Sequence, residues 1–301
     1  ETLPGKRCYT GYCCRFSGLP YWCWQAGFGF RKPLTGQLCR VVNIKLYFKY
    51  FMIHVKIQMQ YKVSFFMTMA GQFLTSFSAF LSILFLMSRF PQVEDFTYNE
   101  VLLCFAAVLM AFSIAECFAR GFDTFSSMIG NGEFDRIMVR PRNESFQVLA
   151  SRIELTRVGR FIQAAVVFAY AIPASGIKWS FGKILTLFLM IAGGTVVFSG
   201  LFLVYAALCF FTTEGLEFMN IFTDGGREFG RFPLSIYGEE ILKFFTYVVP
   251  IALFQYYPML YLTGRSENLL YMFLPVIGCL FIIPCYILWR IGIRHYKSTG
   301  S

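Results

Sequence analysis

Six long stretches of the chain carry few or no charges and do not alternate apolar with polar residues: 63–88, 101–119, 161–177, 184–213, 244–264 and 268–289. A bilayer core is crossed by about 20 helical residues, so each stretch predicts a transmembrane helix. Residues 161–177 are at the short end. The thirty positions of 184–213 would reach roughly 45 Å at about 1.5 Å per residue, which predicts a helix continuing beyond the membrane surface. Uninterrupted apolar runs also argue against a barrel, whose strands must alternate lipid-facing and lumen-facing residues.

Ahead of the first stretch, residues 43–62 carry Lys45, Lys49, Lys56 and Lys62 and no acid. Leu46, Tyr50, Ile53 and Ile57 recur there at helical spacing, which predicts an amphipathic interfacial helix over 44–62. A plain basic flank explains the same charges but does not require the stripe. Lysine and arginine also set the orientation. From Ile44 onward, the basic residues fall mostly before the first span, in 120–160, in 227–243 and after the last span; only Arg89, Lys178, Lys183 and Arg265 lie on the other side. Both termini are therefore expected in the cytoplasm. The expected fold is an all-α membrane protein with six transmembrane helices behind an interfacial helix.

Composition agrees: 56% of residues are hydrophobic, 19% aromatic and only 15% charged, against about a quarter charged in soluble domains. The net charge of +10 reads as topology and attraction to anionic lipid head groups, and nucleic acid is not an expected partner. Residues 1–43 stand apart, with Cys8, Cys13, Cys14, Cys23 and Cys39 and six basic residues against Glu1. They lack secretory-signal organisation and zinc-site spacing, and the expectation is a non-native or disordered extension, with a thiol-bearing regulatory arm as the alternative. The other five cysteines lie in expected spans as small apolar residues.

The search for chemistry returns mostly exclusions. In GGREFGRF, residues 225–232, Gly225 and Gly230 are spaced as in a phosphate-binding loop, but Arg231 and Phe232 stand where Lys and Ser or Thr are required. Only His54 and His295 exist, both near span boundaries, which disfavours metal-dependent hydrolysis; no metal site is expected. No catalytic residue is assigned. One ionisable residue falls within a span. Glu116 lies one helical turn before Arg120, and a carboxylate at that depth needs a partner or a function. The spacing of four favours a Glu116–Arg120 ion pair over a proton or substrate site.

The connector 120–160 is too long for a tight turn and too short for a separate domain. It contains GEFDRIMVRPRNESFQ, residues 132–147, in which both charge signs surround Pro141. Asn131-Gly132 signals a turn, Pro141 a stop, and Asn143 a cap for a helix that puts Phe146, Leu149 and Ile153 on one face. An amphipathic helix on lipid is the plain reading. The acids Asp135, Glu144 and Glu154 would be repelled by an anionic leaflet, which favours a protein partner with its own charged groove.

GEFDRIMVRP followed by FQVLASRIELTRVGRFIQ, with FARGFDTF upstream and YYPMLYLTGR and WRIGIRHYKSTGS near the end, resembles a prokaryotic subfamily of ATP-binding-cassette (ABC) type-2 exporter permeases over roughly residues 44–301. The resemblance implies six spans per subunit, a dimer of identical or related permease chains, and a separate ABC ATPase subunit that touches the connector. It places Asp135, Arg136, Arg140, Pro141, Phe146, Arg152 and Glu154 at or near that coupling surface. It implies that ATP and Mg2+ are held by the ATPase, that this chain binds no cofactor, and that it resides in the bacterial cytoplasmic (inner) membrane. The expected organisation is an atypical extension 1–43, an elbow helix 44–62, and a six-span domain 63–301 with its coupling segment at 120–160.

Pro250, Pro258, Pro275 and Pro284 are positions where spans five and six can kink or break, with ordinary packing an equal alternative. GGTVVFSG, residues 193–200, reads as close helix packing by small residues. Two other classes of function remain open: a polytopic enzyme acting on lipids, which would need polar groups gathered at one face, and a nucleotide-independent channel or scaffold.

Overall fold

The computed structural model describes residues 44–89, 92–93, 96–212 and 217–297, and the expectations for residues 1–43 lie outside the described residues. Among the described residues, α1 (Ile44–Gln60) passes through Tyr61 into α2 (Lys62–Arg89). A two-residue antiparallel ribbon, Gln92–Val93 with Phe96–Thr97, leads to α3 (Tyr98–Asp123). Three short helices follow: α4 (Phe125–Gly130), α5 (Glu133–Met138) and α6 (Glu144–Ser151). A 3-10 turn at Leu155–Arg157 opens α7 (Val158–Ala174), and α8 (Phe181–Thr212) comes next. Beyond these lie α9 (Asn220–Phe229), α10 (Glu239–Tyr247), α11 (Ile251–Phe254), α12 (Tyr256–Thr263), α13 (Leu270–Cys279) and α14 (Ile282–His295).

Among the described residues, five stretches are long and apolar enough to cross a membrane: Lys62–Arg89, Tyr98–Gly130, Leu155–Ala174, Phe181–Thr212 and Leu270–His295. The remaining run, 244–264, is not one helix. Pro250 has no N–H to donate and sits at ψ 49, outside the helical region, and Gln255 interrupts the chain again before α12. At the second break the buried Gln255 side chain ties the segment to its neighbours: its Nε2 donates to the Phe232 carbonyl at 2.8 Å and lies 2.6 Å from Cys104 Sγ. Freed backbone groups at membrane depth are accommodated only when protein covers them. The last span is also divided, between Cys279 and Ile282. Pro284 cannot donate to the carbonyl of Leu280, which accepts instead from Ile283 N–H at 3.0 Å.

α3 is the central helix, with nearly every residue from Val101 to Ala119 buried. Its outer sides are covered by α7 and α8; α2 packs against α7, and α13 and α14 against α8. The apolar core accordingly has two parts along α3. One joins Val101–Leu109 to α2, α7 and α12, and the other joins Val108–Phe122 to α8, α11 and α14. Large apolar side chains such as Phe66, Met67, Phe85, Phe188 and Ile283 point outward, as lipid-facing positions do.

Glycines allow the central helices to approach closely. A Cβ on Gly194 would lie 2.8 Å from Ala111 Cβ and 2.7 Å from the Phe254 ring, and one on Gly193 would lie 2.8 Å from Pro275. At the start of α3, Glu100 Oε2 accepts from Thr97 N–H at 2.8 Å and from Arg265 at 2.8 Å, while the Arg265 guanidinium stacks 3.7 Å from the Phe96 ring. These contacts pin the far end of α12 to the start of α3.

Gly194→Val should overpack the α3–α8 crossing and cost about 1–3 kcal/mol, read as a lower unfolding midpoint of the purified protein. Gly225→Ala, where an added Cβ meets nothing nearer than 3.9 Å, should leave the midpoint unchanged or raise it.

Candidate coupling surface and buried charge cluster

The connector between α3 and α7 is built from its turns outward. Gly132, at φ 66, takes the left-handed conformation required between α4 and α5. Asn143 caps α6 by accepting from Ser145 N–H at 2.9 Å, as its position after Pro141 predicts. The helix is shorter than the sequence suggests, because Arg152 is extended at φ −142, ψ 118 and Glu154 N–H donates to the Cys117 carbonyl at 3.2 Å. This departure from helix holds Ile153 in the core and turns Glu154 toward the charges on α3.

An aromatic knot fastens the connector to the long helices. Trp289 of α14 is fully buried, with ring centres 5.3 Å from Phe122, 5.0 Å from Phe125 and 5.1 Å from Phe210, and Phe134 of α5 lies 5.2 Å from both Phe125 and Phe210. The Trp289 indole N–H donates to Ser145 Oγ at 2.8 Å, so α6 is tied to α14 directly. Tyr296 closes the knot, its ring 5.1 Å from Phe134 and its hydroxyl donating to Asp135 at 3.0 Å. Burial, reinforced by that carboxylate, pushes the Tyr296 phenol up to about 12, so it remains a donor at neutral pH. α1 contributes from the other side. Tyr47 packs edge-on against Phe146, His54 Nε2 lies 3.1 Å from the Ala150 carbonyl, and Gln58 bonds both the Ile153 carbonyl and Leu155 N–H.

The coupling residues implied by the family resemblance divide into three groups: an exposed crest, residues packed behind it, and one in the interior. Arg136, Arg140 and Pro141 are exposed together with Glu133, Val139 and Arg142, and Arg152 is exposed on the far side of α6. Arg136 pairs only loosely with Glu133, at 3.9 Å. Asp135 is half-buried on Tyr296, and Phe146 is buried against α1, so these two support the crest from behind. Glu154 belongs to an interior charge cluster.

That cluster centres on Glu116, which is buried. Its nearest partner is Arg160, whose Nη1 lies 2.5 Å from Glu116 Oε2; Arg157 and Arg120 approach Oε1 at 3.6 and 3.8 Å. The expected Arg120 contact is therefore the longest of the three. Arg120 also pairs with Asp123, and its Nε lies 3.6 Å from Glu154. Arg157 bonds Glu154 at 3.1 Å and Gln72 of α2 at 3.0 Å. Gly121 lets α6 approach α3, since any Cβ there would collide with the Val148 carbonyl. A polar cleft of about 370 Å³ runs from Phe112 past Glu116 and Asp123 to Asn220 and Asp224.

Arg227 and Arg231, counted among the cytoplasmic charges, pack against the helix bundle. α9 folds back against the middle of α3: the Arg227 guanidinium sits 4.8 Å from the Phe112 ring, and a Cβ on Gly230 would touch Val108 at 3.1 Å. The signal in the sequence was GGREFG, read there only as a failed phosphate loop. Its glycines permit close packing, with Gly226 facing Ile251.

The family model described as "ABC-2 family transporter protein" matches residues 73–300. The chain belongs to the ABC-2 transporter family. No curated protein and no solved structure matches it. An ABC-2 chain with several long apolar helices is a multi-pass membrane protein and a permease component of an ABC transporter. The match includes α3 to α14 and begins within α2, so the crest, the charge cluster and α9 all fall inside it.

Glu116→Gln leaves Arg160 and Arg157 buried without their carboxylate and should lower stability by about 3–5 kcal/mol. The double variant Glu116→Leu with Arg160→Leu should recover a large part of that loss, measured as the unfolding midpoint and the yield of monodisperse protein.

Proposed function

We propose that this ABC-2 permease is one half of the pathway of an ATP-driven exporter in the bacterial cytoplasmic membrane, coupled through its connector to a separate ATPase subunit that holds ATP and Mg2+. In this reading the chain crosses six times, with the broken segment α10–α12 as the fifth crossing, and both termini are cytoplasmic. A second permease chain, identical or related, completes the pathway.

The observation that carries the proposal is the exposed, mixed-charge crest Glu133, Arg136, Val139, Arg140, Pro141 and Arg142, mounted on the buried aromatic knot. Val139 is 83% exposed among charges of both signs, which suits a protein groove better than an anionic leaflet. ATP-driven closure of two ATPase subunits would press on the crest, and the knot would carry that movement to α3, α8 and α14 as one body. α1 fits an interfacial helix: Phe48, Met52, Ile53 and Ile57 are exposed beside Lys45, Lys49 and Lys56, while the opposite side binds α6.

Reversing Arg140 and Arg142 to Glu should abolish co-purification with the ATPase while leaving the unfolding midpoint within about 0.5 kcal/mol of the parent, because both side chains are exposed. Undiminished association would overturn the coupling assignment. Substrate movement in vesicles that contain the permease without any ATPase would favour the channel reading instead.

A further inference from the structure

Between α2, α3, α7 and α9 lies a small cavity whose polar lining is Thr75, Ser76, Arg160, Arg227 and Arg231. Three arginines line it, and among the described residues no Asp or Glu does. Their partners approach from elsewhere: Glu116 holds Arg160, Glu228 holds Arg231, and Asp224 and Glu228 hold Arg227. Asp224 and Glu228 are 56% and 40% exposed, so much of their charge faces away from the cavity. Arg160 is buried, and its Nε has no hydrogen-bond partner although Nη1 is committed to Glu116. The opposite wall is the apolar side of α3, including Phe105 and Leu109.

We propose that this cavity receives the anionic end of a transported amphiphile, a phosphate or carboxylate oxygen set, while its apolar tail stays outside among the helices. This deepens the permease reading and rests on it, by naming the class of substrate. Guanidinium groups are the preferred donors for planar or tetrahedral oxyanions, and an apolar wall with little water strengthens each contact. Arg160 is buried and Arg227 and Arg231 are half-buried beside Val108 and Leu109, and an oxyanion would add acceptors on the cavity side, which their acid partners do not line. The cavity is about 30 Å³, close to the volume of one water, so it admits the leading oxygen of a head group and not a whole sugar or peptide. Exposed Thr75 marks the mouth on the α2 side, and Ser76 and Ala79 line the wall behind it. The same chemistry is carried by a substrate head group, a membrane phospholipid or free phosphate.

The test uses the full-length permease purified without ATPase in neutral detergent, titrated with monododecyl phosphate, dodecylphosphocholine and inorganic phosphate, with binding read by calorimetry. The proposal expects monododecyl phosphate to bind at least tenfold more tightly than dodecylphosphocholine. Arg231→Gln should weaken the phosphate amphiphile at least tenfold, Arg231→Lys should recover part of the loss, and Thr75→Val should weaken it less. Equal binding of the anionic and zwitterionic amphiphiles, or unchanged binding by Arg231→Gln with a parent-like unfolding midpoint, overturns the site. Tight binding of inorganic phosphate alone overturns the amphiphile assignment in favour of a free anion. A phospholipid retained by the parent and lost from Arg231→Gln, seen by native mass spectrometry, assigns the site to membrane lipid and overturns the transported-substrate assignment. ATPase co-purification of the parent is scored separately: retained association with absent anion binding by the parent sinks the site alone, and lost association with anion binding retained sinks the permease coupling alone.

Discussion

A buried carboxylate constrains this molecule more than any other single group. Taking Glu116 out of water costs several kcal/mol unless cations follow it. Arg160 supplies the close contact and Arg157 and Arg120 the outer ones, so the start of α7 and the end of α3 are locked at one rotation. Each arginine then needs a counterpart of its own. Asp123, Glu154 and Gln72 meet that need, and through them the constraint spreads to the segment after α6 and to α2. The kink at Arg152 to Glu154 follows from this, because a continued α6 would carry Glu154 away from Arg120 and Arg157. Local propensity yields there to charge neutralisation.

The aromatic knot solves a different problem with less directional forces. Short helices of six to eight residues, such as α4, α5 and α6, are not stable alone. They persist because Phe125, Phe134 and Trp289 bury one face of each pair, and the bonds from Trp289 to Ser145 and from Tyr296 to Asp135 fix their register. The charge cluster sets where α3 and α7 stand, and the knot sets how α4, α5 and α6 ride on α8 and α14. Side chains left over on the outside of that platform form the crest.

Much of this was legible in sequence where a signal is local. The apolar runs 63–88, 101–119, 161–177 and 184–213 each hold a long helix over most of their described residues, and the turn at Asn131-Gly132 and the Asn143 cap stand as composition and position suggest. The carboxylate at Glu116 also announced its need for a cation. Its main partner did not, because Arg160 is 44 residues away and only the packing of α7 on α3 brings it near. Hydropathy likewise treats 244–264 as continuous, since a scale that sums apolar character cannot register the missing N–H of Pro250 or the carbonyls that Gln255 satisfies. The fold-back of α9 was hidden for a related reason. A window that averages Arg227 and Arg231 with their neighbours reads as a polar loop, although each arginine has a nearby acid and a packed stem.

The placement of rigidity has a mechanical consequence for the permease reading. The connector end, where the crest sits, is held by charge pairs and interlocked rings that resist small deformations. The breaks at Pro250, at Gln255 and between Cys279 and Ile282 all lie in the C-terminal third, where backbone bonds along the helix axis are missing and shape can change at lower cost. A push on the crest would therefore leave the knot intact and spend its displacement in α10 to α13. α9, seated between α3 and α11, borders both regions, so its arginines stand where a rigid wall meets a deformable one. An anion held there would feel any shift of α11 against α3 directly, which is the geometry that lets one site be closed and released by the same movement.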